Sequence, residues 1–450
     1  MAHWFEDAVF YHIYPLGCCG APLKNDYSSA PTPRLRVLMQ WITYIRNLGA
    51  NALYLGPVFE SGTHGYDTTD YFTVDRRLGE NVDLRDFIRT CQREGVRVVL
   101  DAVFNHVGRD HFAFNDLKRN GRNSKYREWF HLDFNRRSVF GDPFWYVGWH
   151  GHYNLVKLNL AHPAVRDHLL GVVKFWQEEF GPDGLRLDAA DSMDRNFFRG
   201  LRTLCKTLRP DFWLMGEVIH GNYRDWANPD CLDSVTNYEC YKGLWSSLND
   251  GNCFEIAYSL NRQFGSSGIY KGLPLYNFAD NHDVDRVAST LRDRSHLLHL
   301  YIMLFTMPGI PSVYYGSEWG LLGRKWKGTD AALRPAIDLS AALRSIPDRN
   351  LFATIKTLIA ARRDQPVLRR GTYSQLWVAS RQFCFLRRLD SVNAVVALNF
   401  DKAAVTANLK VPVPNGTVFA DILNNRESFT VKNGSLDISL SPSWGRILVR

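Results

Sequence analysis

The stretch that most constrains the fold is Gly184-Leu-Arg-Leu-Asp-Ala-Ala-Asp191. A short apolar strand, carrying Leu185 and Leu187, ends in Asp188, with Arg186 two residues earlier. Arg stays charged near neutral pH, so a neighbouring carboxylate is held ionised, as a carboxylate nucleophile requires. An amphipathic helix is predicted before it, roughly Pro163 to Phe180, closed by Gly181-Pro182-Asp183-Gly184. Another helical pattern follows from Met193 to Leu208, and then Phe212-Trp-Leu-Met-Gly-Glu217 repeats the strand-plus-charge ending. Helix, strand and charged residue in this rhythm predict an α/β fold, a (β/α)8 TIM barrel whose chemistry sits at the carboxyl ends of its strands.

The remaining strands can be placed on the same logic. Ala8 to Pro15 reads as strand one and Asn51 to Pro57 as strand two. Val96 to Phe104 reads as strand three, a continuous β-branched run of the kind covered on both faces. Cys231–Thr236, Gly272–Asn277 and Ile310–Tyr315 read as strands six to eight, with helices over 35–48, 84–94, 291–306 and 351–363. Residues 105–160 are irregular and aromatic, too long for an ordinary barrel loop, and predict an inserted subdomain after strand three. The barrel is expected over 1–104 and 161–365. Over 366–450 short alternating segments separated by turns such as Pro414-Asn-Gly and Lys432-Asn-Gly predict a C-terminal antiparallel β domain, a β-sandwich.

Composition excludes several classes. A net charge of +8 is spread as scattered Lys and Arg rather than as blocks, which predicts a solvated surface and no nucleic-acid footprint. The N-terminus has no basic segment followed by an apolar one, so no export signal is read and a cytoplasmic location is expected. Leu297 to Tyr315, the most apolar later stretch, is interrupted by His299, Pro308, Gly309 and Pro311, so no membrane partner is expected. The eight Cys form no CxxC pair and read as structural thiols.

Three carboxylates fall at expected strand ends: Asp188, Glu217 and Asp283. Two histidines join them, His106 after strand three and His282 beside Asp283. A lone Asp at a loop start is more often a helix cap, but caps do not produce a set in register with the strands of a barrel. Two carboxyls facing one bond are what glycoside hydrolysis needs, one ionised and one protonated. Arg186 is expected to keep Asp188 ionised, and the apolar run before Glu217 to raise the pKa of that group and make it the acid.

With these residues in view, the sequence resembles the α-amylase superfamily of glycoside hydrolases and transglycosylases. The matching stretches are Asp101-Ala-Val-Phe-Asn-His106, Gly184-Leu-Arg-Leu-Asp188, Gly216-Glu-Val218 and Phe278-Ala-Asp-Asn-His-Asp283, supported by Leu55–Phe59, His64-Gly-Tyr-Asp67 and Pro308–Glu318. Leu155-Val-Lys-Leu-Asn159 is similar to the version found in neopullulanases and cyclomaltodextrinases. The resemblance implies a retaining double displacement: Asp188 as nucleophile, Glu217 as acid and then base, Asp283 as transition-state stabiliser. It implies that His106, Arg186 and His282 bind the same sugar, that Tyr66 stacks on it with Asp67 beside it, and that Asp101 and Asn105 are structural. Two departures stand out. Those enzymes usually carry an extra N-terminal β domain that helps form dimers, whereas here the barrel is read from the first residues, so that dimer is not expected. Asp191-Ser192 replaces the Lys-His through which many α-amylases bind substrate and calcium. No cofactor is required by this chemistry. Calcium is the one metal the resemblance raises, with Asn105 as its one potential ligand.

The expected partner is therefore an α-1,4-linked gluco-oligosaccharide: a maltodextrin, cyclodextrin or pullulan. A 4-α-glucanotransferase would use the same residues and differ only in whether water or a sugar hydroxyl resolves the intermediate. A catalytically silent binding or transporter-partner relative would typically have lost one of the three carboxylates. The oligomeric state is not set by these features.

Overall fold

The computed structural model describes residues 3–450. Eight parallel strands, β1 Phe10–Ile13, β2 Ala52–Leu55, β3 Arg97–Ala102, β4 Gly184–Leu187, β5 Trp213–Gly216, β6 Ser234–Val235, β7 Tyr276–Phe278 and β8 Ile310–Tyr314, pair in the order β6-β5-β4-β3-β2-β1-β8-β7. A parallel bridge between Thr236 and Tyr276 joins the two ends and closes the barrel.

Alternation along the strands sets what the barrel contains. Phe10, Ala52, Tyr54, Val99, Trp213, Met215, Tyr276, Phe278 and Ile310 form one internal cluster, while Tyr11, Leu53, Leu55, Val98, Leu100, Leu185 and Leu214 belong to the cluster shared with the outer helices. The same period of two carries Val99 to Asp101, Gly184 to Arg186 to Asp188, and Trp213 to Met215 to Glu217. Register then places Arg186 beside Asp101 on one side and Met215 on the other. At the floor Trp213 packs against Trp4 and Phe5 of the preceding 3-10 turn. Gly184 is required there, since a Cβ would lie 2.5 Å from the Trp213 carbonyl oxygen.

The helices end where the sequence punctuates them. Helix α1, Met39–Leu48, stops at Gly49, whose φ of 103° is the left-handed conformation favouring glycine. Helix α2 is Asn81–Arg93, and its Asp83 reaches back to the Glu80 amide at 3.0 Å. Helix α3, Pro163–Glu179, opens on proline. Helix α4, Arg195–Leu208, is capped by Asp194, which accepts the Asn196 amide.

Several boundaries differ from expectation. Pro15 begins a helical turn, Pro15–Cys18, rather than ending strand one, because its fixed φ suits a first helical position. Strand seven starts at Tyr276, four residues later than Gly272. The expected helix 291–306 starts five residues later, as His296–Thr306, after a turn in which Asp293 accepts the Ser295 amide, and a separate short helix, Val287–Thr290, precedes it. Two helices that the sequence reading did not place, α5 Tyr238–Asp250 and α6 Cys253–Phe264, connect β6 to β7. Residues 105–160 contain a helix, Phe112–Asn120, and a three-stranded sheet of His106–Gly108, His152–Lys157 and Gly148–Trp149.

Beyond Arg349–Asp364 and the short helix Pro366–Arg370 the chain is all β. A six-stranded sheet begins at Thr372–Val378 and includes a strand not read from the sequence, Trp444–Val449; Val405–Lys410 and Ser435–Leu440 pair separately. One face of the large sheet, with Phe383, Phe385, Val396 and Ile447, packs into the barrel's outer cluster. The other, with Leu386, Val395 and Leu448, packs on Leu409, Leu436 and Ile438. All eight cysteines are free thiols, seven of them buried. No helix among the described residues is long and apolar enough to cross a membrane.

Candidate active site

Arg186 is the hub of the strand-end residues. Its side chain is fully enclosed, and its guanidinium touches three carboxylates: Asp101 at 2.9 Å, Asp188 at 2.8 Å and Glu217 at 2.7 Å. Burial works against its charge, but Asp101 and Glu217 more than compensate, so Arg186 is held charged well above its ordinary range. The contacts to Asp188 and Glu217 use different nitrogens, so one rigid group spans two carboxyls projecting from adjacent strands. Tyr54 and Tyr66 donate their hydroxyls to Asp101 at 2.6 and 3.0 Å, completing the anchor beneath.

Asp188 and Glu217 are 7% and 8% exposed, so each carboxyl shows only an edge to the mouth of the barrel. Ala189, directly after Asp188, has a φ of 47°, unusual for a residue with a Cβ, and its amide donates to Glu217 Oε2 at 3.1 Å. Glu217 Oε1 accepts from the Tyr238 hydroxyl at 3.2 Å. Here the structure corrects the expected electrostatics of Asp188. Trp213, Leu214 and Met215 lie below and behind Glu217, while its carboxyl has polar partners on both oxygens. Burial lifts the Asp188 carboxyl well above the usual range, with Arg186 offsetting this in part and Glu217, Asp101 and Asp283 adding to it.

Asp283 follows β7 and is more open, its side chain 34% exposed. Burial pushes its carboxyl up, but His282, then Arg334 and Arg186, outweigh this and hold it well below the usual carboxylate range. His282 Nε2 lies 2.8 Å from Asp283 Oδ2, and Arg334 donates to Asp283 Oδ1 at 2.8 Å. The Tyr66 ring stacks on His282 at 5.4 Å with 8° between planes, and its hydroxyl also meets His282 Nε2. His106 Nε2 is 3.8 Å from Asp188 Oδ2. Burial pushes His106 down to about 3, which keeps the ring neutral.

Seven of the eight expected residues thus converge: Asp188, Glu217, Asp283, Arg186, His106, His282 and Tyr66. Asp67 is engaged elsewhere. Its oxygens accept the Thr63 amide at 3.1 Å and hydroxyl at 2.9 Å, so it holds its own loop closed where a sugar ligand was expected. Tyr238, Asn281 and Arg334 join the site although sequence reasoning passed over them. Asn281 carried a signal as a member of the Phe278–Asp283 stretch, and Tyr238 as the last residue of Asp233-Ser-Val-Thr-Asn-Tyr238, which is also similar to the neopullulanase version; Arg334 carried none.

Asn105 Oδ1 is buried without a hydrogen-bond partner, the kind of oxygen a hard cation takes. The Nδ2 of the same amide is 3.1 Å from His106 Nδ1, and the Lys157 ammonium, on the strand paired with His106, is committed to the Ser192 carbonyl at 3.1 Å. Among the described residues no three His, Cys, Asp or Glu side chains are grouped to hold a metal, so a cation there would rest on Asn105 and carbonyl oxygens. No step below passes through one.

Residues 34–346 match the alpha-amylase catalytic domain, and residues 377–447 the alpha-amylase C-terminal all-beta domain. The chain belongs to the α-amylase family of glycosidases. It is 32% identical to a cyclomaltodextrinase of a Bacillus species over 422 residues, 90% of this chain and 74% of that protein. It is 30% identical to neopullulanase 2 of Thermoactinomyces vulgaris over 468 aligned positions, 99% of this chain and 78% of that one. The ligand-free cyclic α-maltosyl-(1→6)-maltose hydrolase of Arthrobacter globiformis superposes with a TM-score of 0.83 at 29% identity, covering 100% of both chains.

Proposed function

We propose that this family member hydrolyses α-1,4-linked gluco-oligosaccharides with retention, through a covalent glycosyl-enzyme on Asp188. The observation that carries the reading is the single Arg186 guanidinium bonded to Asp188 at 2.8 Å and Glu217 at 2.7 Å. A pair bridged this closely suits direct attack by one carboxyl. A water-activating pair stands farther apart, about 6.5–9.5 Å.

In the first half-reaction Asp188 attacks the anomeric carbon as Glu217 passes its proton to the leaving oxygen. In the second, Glu217 takes a proton from water as the ester to Asp188 breaks. The two roles need the proton on Glu217 and the charge on Asp188, which Arg186 favours through its 2.8 Å contact. Asp283, kept ionised, accepts hydroxyls of the distorted ring and faces its developing positive charge. Neutral His106 and, beside Asp283, His282 supply further hydrogen bonds, and Tyr66 forms the stacking floor. The cytoplasm is the compartment we assign, since seven buried cysteines with no disulfide suit a reducing environment.

A second reading, opening of a cyclic oligosaccharide that contains α-1,6 as well as α-1,4 bonds, draws on the full-length match to the Arthrobacter hydrolase. One experiment separates the readings. The protein is incubated separately with maltotriose, maltoheptaose, β-cyclodextrin, pullulan, isomaltose and cyclic maltosyl-maltose, and products are followed by chromatography. Linear maltosaccharides from the α-1,4 substrates are expected. Turnover of isomaltose alone, or opening of cyclic maltosyl-maltose to a product that has lost an α-1,6 bond, would move the assignment to α-1,6 bonds. Products longer than the substrate would make it a glucanotransferase, and inertness toward all six would overturn the reading.

A further inference from the structure

Every contact that reaches Glu217 is a donor. Oε2 receives Arg186 at 2.7 Å and the Ala189 amide at 3.1 Å, and Oε1 receives the Tyr238 hydroxyl at 3.2 Å. A carboxylate suits this shell, but a carboxylic acid needs an oxygen free to carry its proton. Arg186 is locked by Asp101 and Asp188, and the Ala189 amide is backbone, so Oε2 keeps its donors in both states. Only a hydroxyl can turn away.

The direction of that hydroxyl is set from the other side. Asn281 Oδ1 accepts the Asp283 amide at 2.8 Å and the Val284 amide at 3.2 Å, which fixes the amide and turns its Nδ2 outward. Nδ2 donates to the Tyr238 oxygen at 3.3 Å. With its oxygen accepting from Asn281, the Tyr238 proton is left for Glu217. The chain Asp283 amide, Asn281, Tyr238, Glu217 therefore links the two sides of the barrel mouth. The charged and titratable groups facing it are Arg186 and Asp188 from the β4 end, Glu217 itself, and Asp283 beyond β7.

We propose that Tyr238, aimed by Asn281, is a positioning residue that switches Glu217 between its two roles: its hydroxyl turns off Oε1 while Glu217 carries the proton for the leaving group, and returns to stabilise the carboxylate that accepts a proton from water. This rests on the reading of Glu217 as acid and base. The phenol keeps its own proton throughout, being held well above its ordinary range by burial and then by Glu217 and Asp283.

The test is Tyr238→Phe, near-isosteric and lacking only the donor. Kinetics are measured over pH on maltotriose, which needs the acid, and on α-maltosyl fluoride, whose leaving group does not. Without the donor Glu217 keeps its proton to higher pH, so the alkaline limb of kcat/KM on maltotriose should move up by about one pH unit. On the fluoride, kcat should fall about tenfold and KM with it, as the intermediate accumulates, and azide, which attacks without a base, should restore turnover. Asn281→Ala should move both readouts the same way by a smaller amount. An unmoved limb, or a loss that azide does not restore, overturns the proposal. Glu217→Gln is the control, expected to lose maltotriose turnover and keep azide-dependent turnover of the fluoride. Its failure removes the acid/base reading and this inference together, whereas failure of Tyr238→Phe with the control intact removes the inference alone.

Discussion

Strand β4 has an aspartate at each end, and the two are treated in opposite ways. Asp183, at the floor, is fully enclosed and accepts from Gln92 at 3.0 Å, Arg97 at 2.7 Å, the Val98 amide at 2.8 Å and Arg209 at 2.8 Å. Two arginines and two neutral donors surround one carboxylate. Asp188, at the mouth, shares one buried arginine with Asp101 and Glu217, and its nearest imidazole is neutral. Both carboxyls are buried and both touch arginine, so neither burial nor an ion pair marks a reactive group. The difference is saturation: the floor has a surplus of donors and the mouth a surplus of acceptors, which substrate and a proton relieve.

That contrast predicts a graded set of effects. Asp188→Asn should cost about four orders of magnitude or more in kcat. It should also raise the melting temperature at neutral and alkaline pH. The Asp188 carboxyl is raised above its unfolded value, so the folded protein binds the extra proton, and its stability falls as pH climbs from the unfolded to the folded pKa. Above that window the charged form carries the full penalty, which asparagine lacks. A lower melting temperature for the variant at neutral pH would break the comparison. Asp183→Ala should do the reverse, destabilising by about 2–4 kcal/mol in denaturant titration because it removes the buried acceptor shared by the Val98 amide, Gln92, Arg97 and Arg209, although both arginines keep Asp211. Its kcat/KM, measured well below the transition, should stay near wild type; a hundredfold loss would show that the floor also serves chemistry.

His106→Gln sharpens the comparison at the mouth itself. A neutral ligand of the sugar should raise KM and lower kcat/KM by about tenfold to a hundredfold, each lost hydrogen bond weighing about 1–3 kcal/mol. Because burial holds His106 down to about 3, the pH profile above that value should keep its shape; a limb that disappears with the histidine would contradict the assignment. Asp67→Asn should have the smallest effect, a loss of about 1 kcal/mol or less in stability and a few-fold change in KM, since asparagine can still accept from Thr63.

The sequence displayed the barrel because each strand is short, apolar and ends in a charge, and because a period of two fixes which side chains point inward. That is why Asp101, Arg186, Asp188 and Glu217 could be placed together from spacing plus resemblance. Partners brought in by long loops were hidden. Arg334 is 51 residues beyond Asp283, and Tyr238 opens a helix that the sequence did not display, so its place beside Glu217 and Asn281 is seen only in the fold. The sign of the electrostatics was also hidden. Arg186 has two nitrogens to share, and only the fold shows that Glu217 takes one of them. Asp67 sat in a matching stretch, yet Thr63, four residues before it, takes both its oxygens.

The central claim is that Asp188 becomes covalently glycosylated. The most direct measurement is to load the Glu217→Gln variant with α-maltosyl fluoride, quench in acid, and map the peptides by mass spectrometry. A single maltosyl addition on the peptide containing Gly184 to Asp191, localised to Asp188 and removed by azide, is the predicted result. A label on Asp283 or Asp101, or no covalent adduct while free fluoride accumulates, would contradict it.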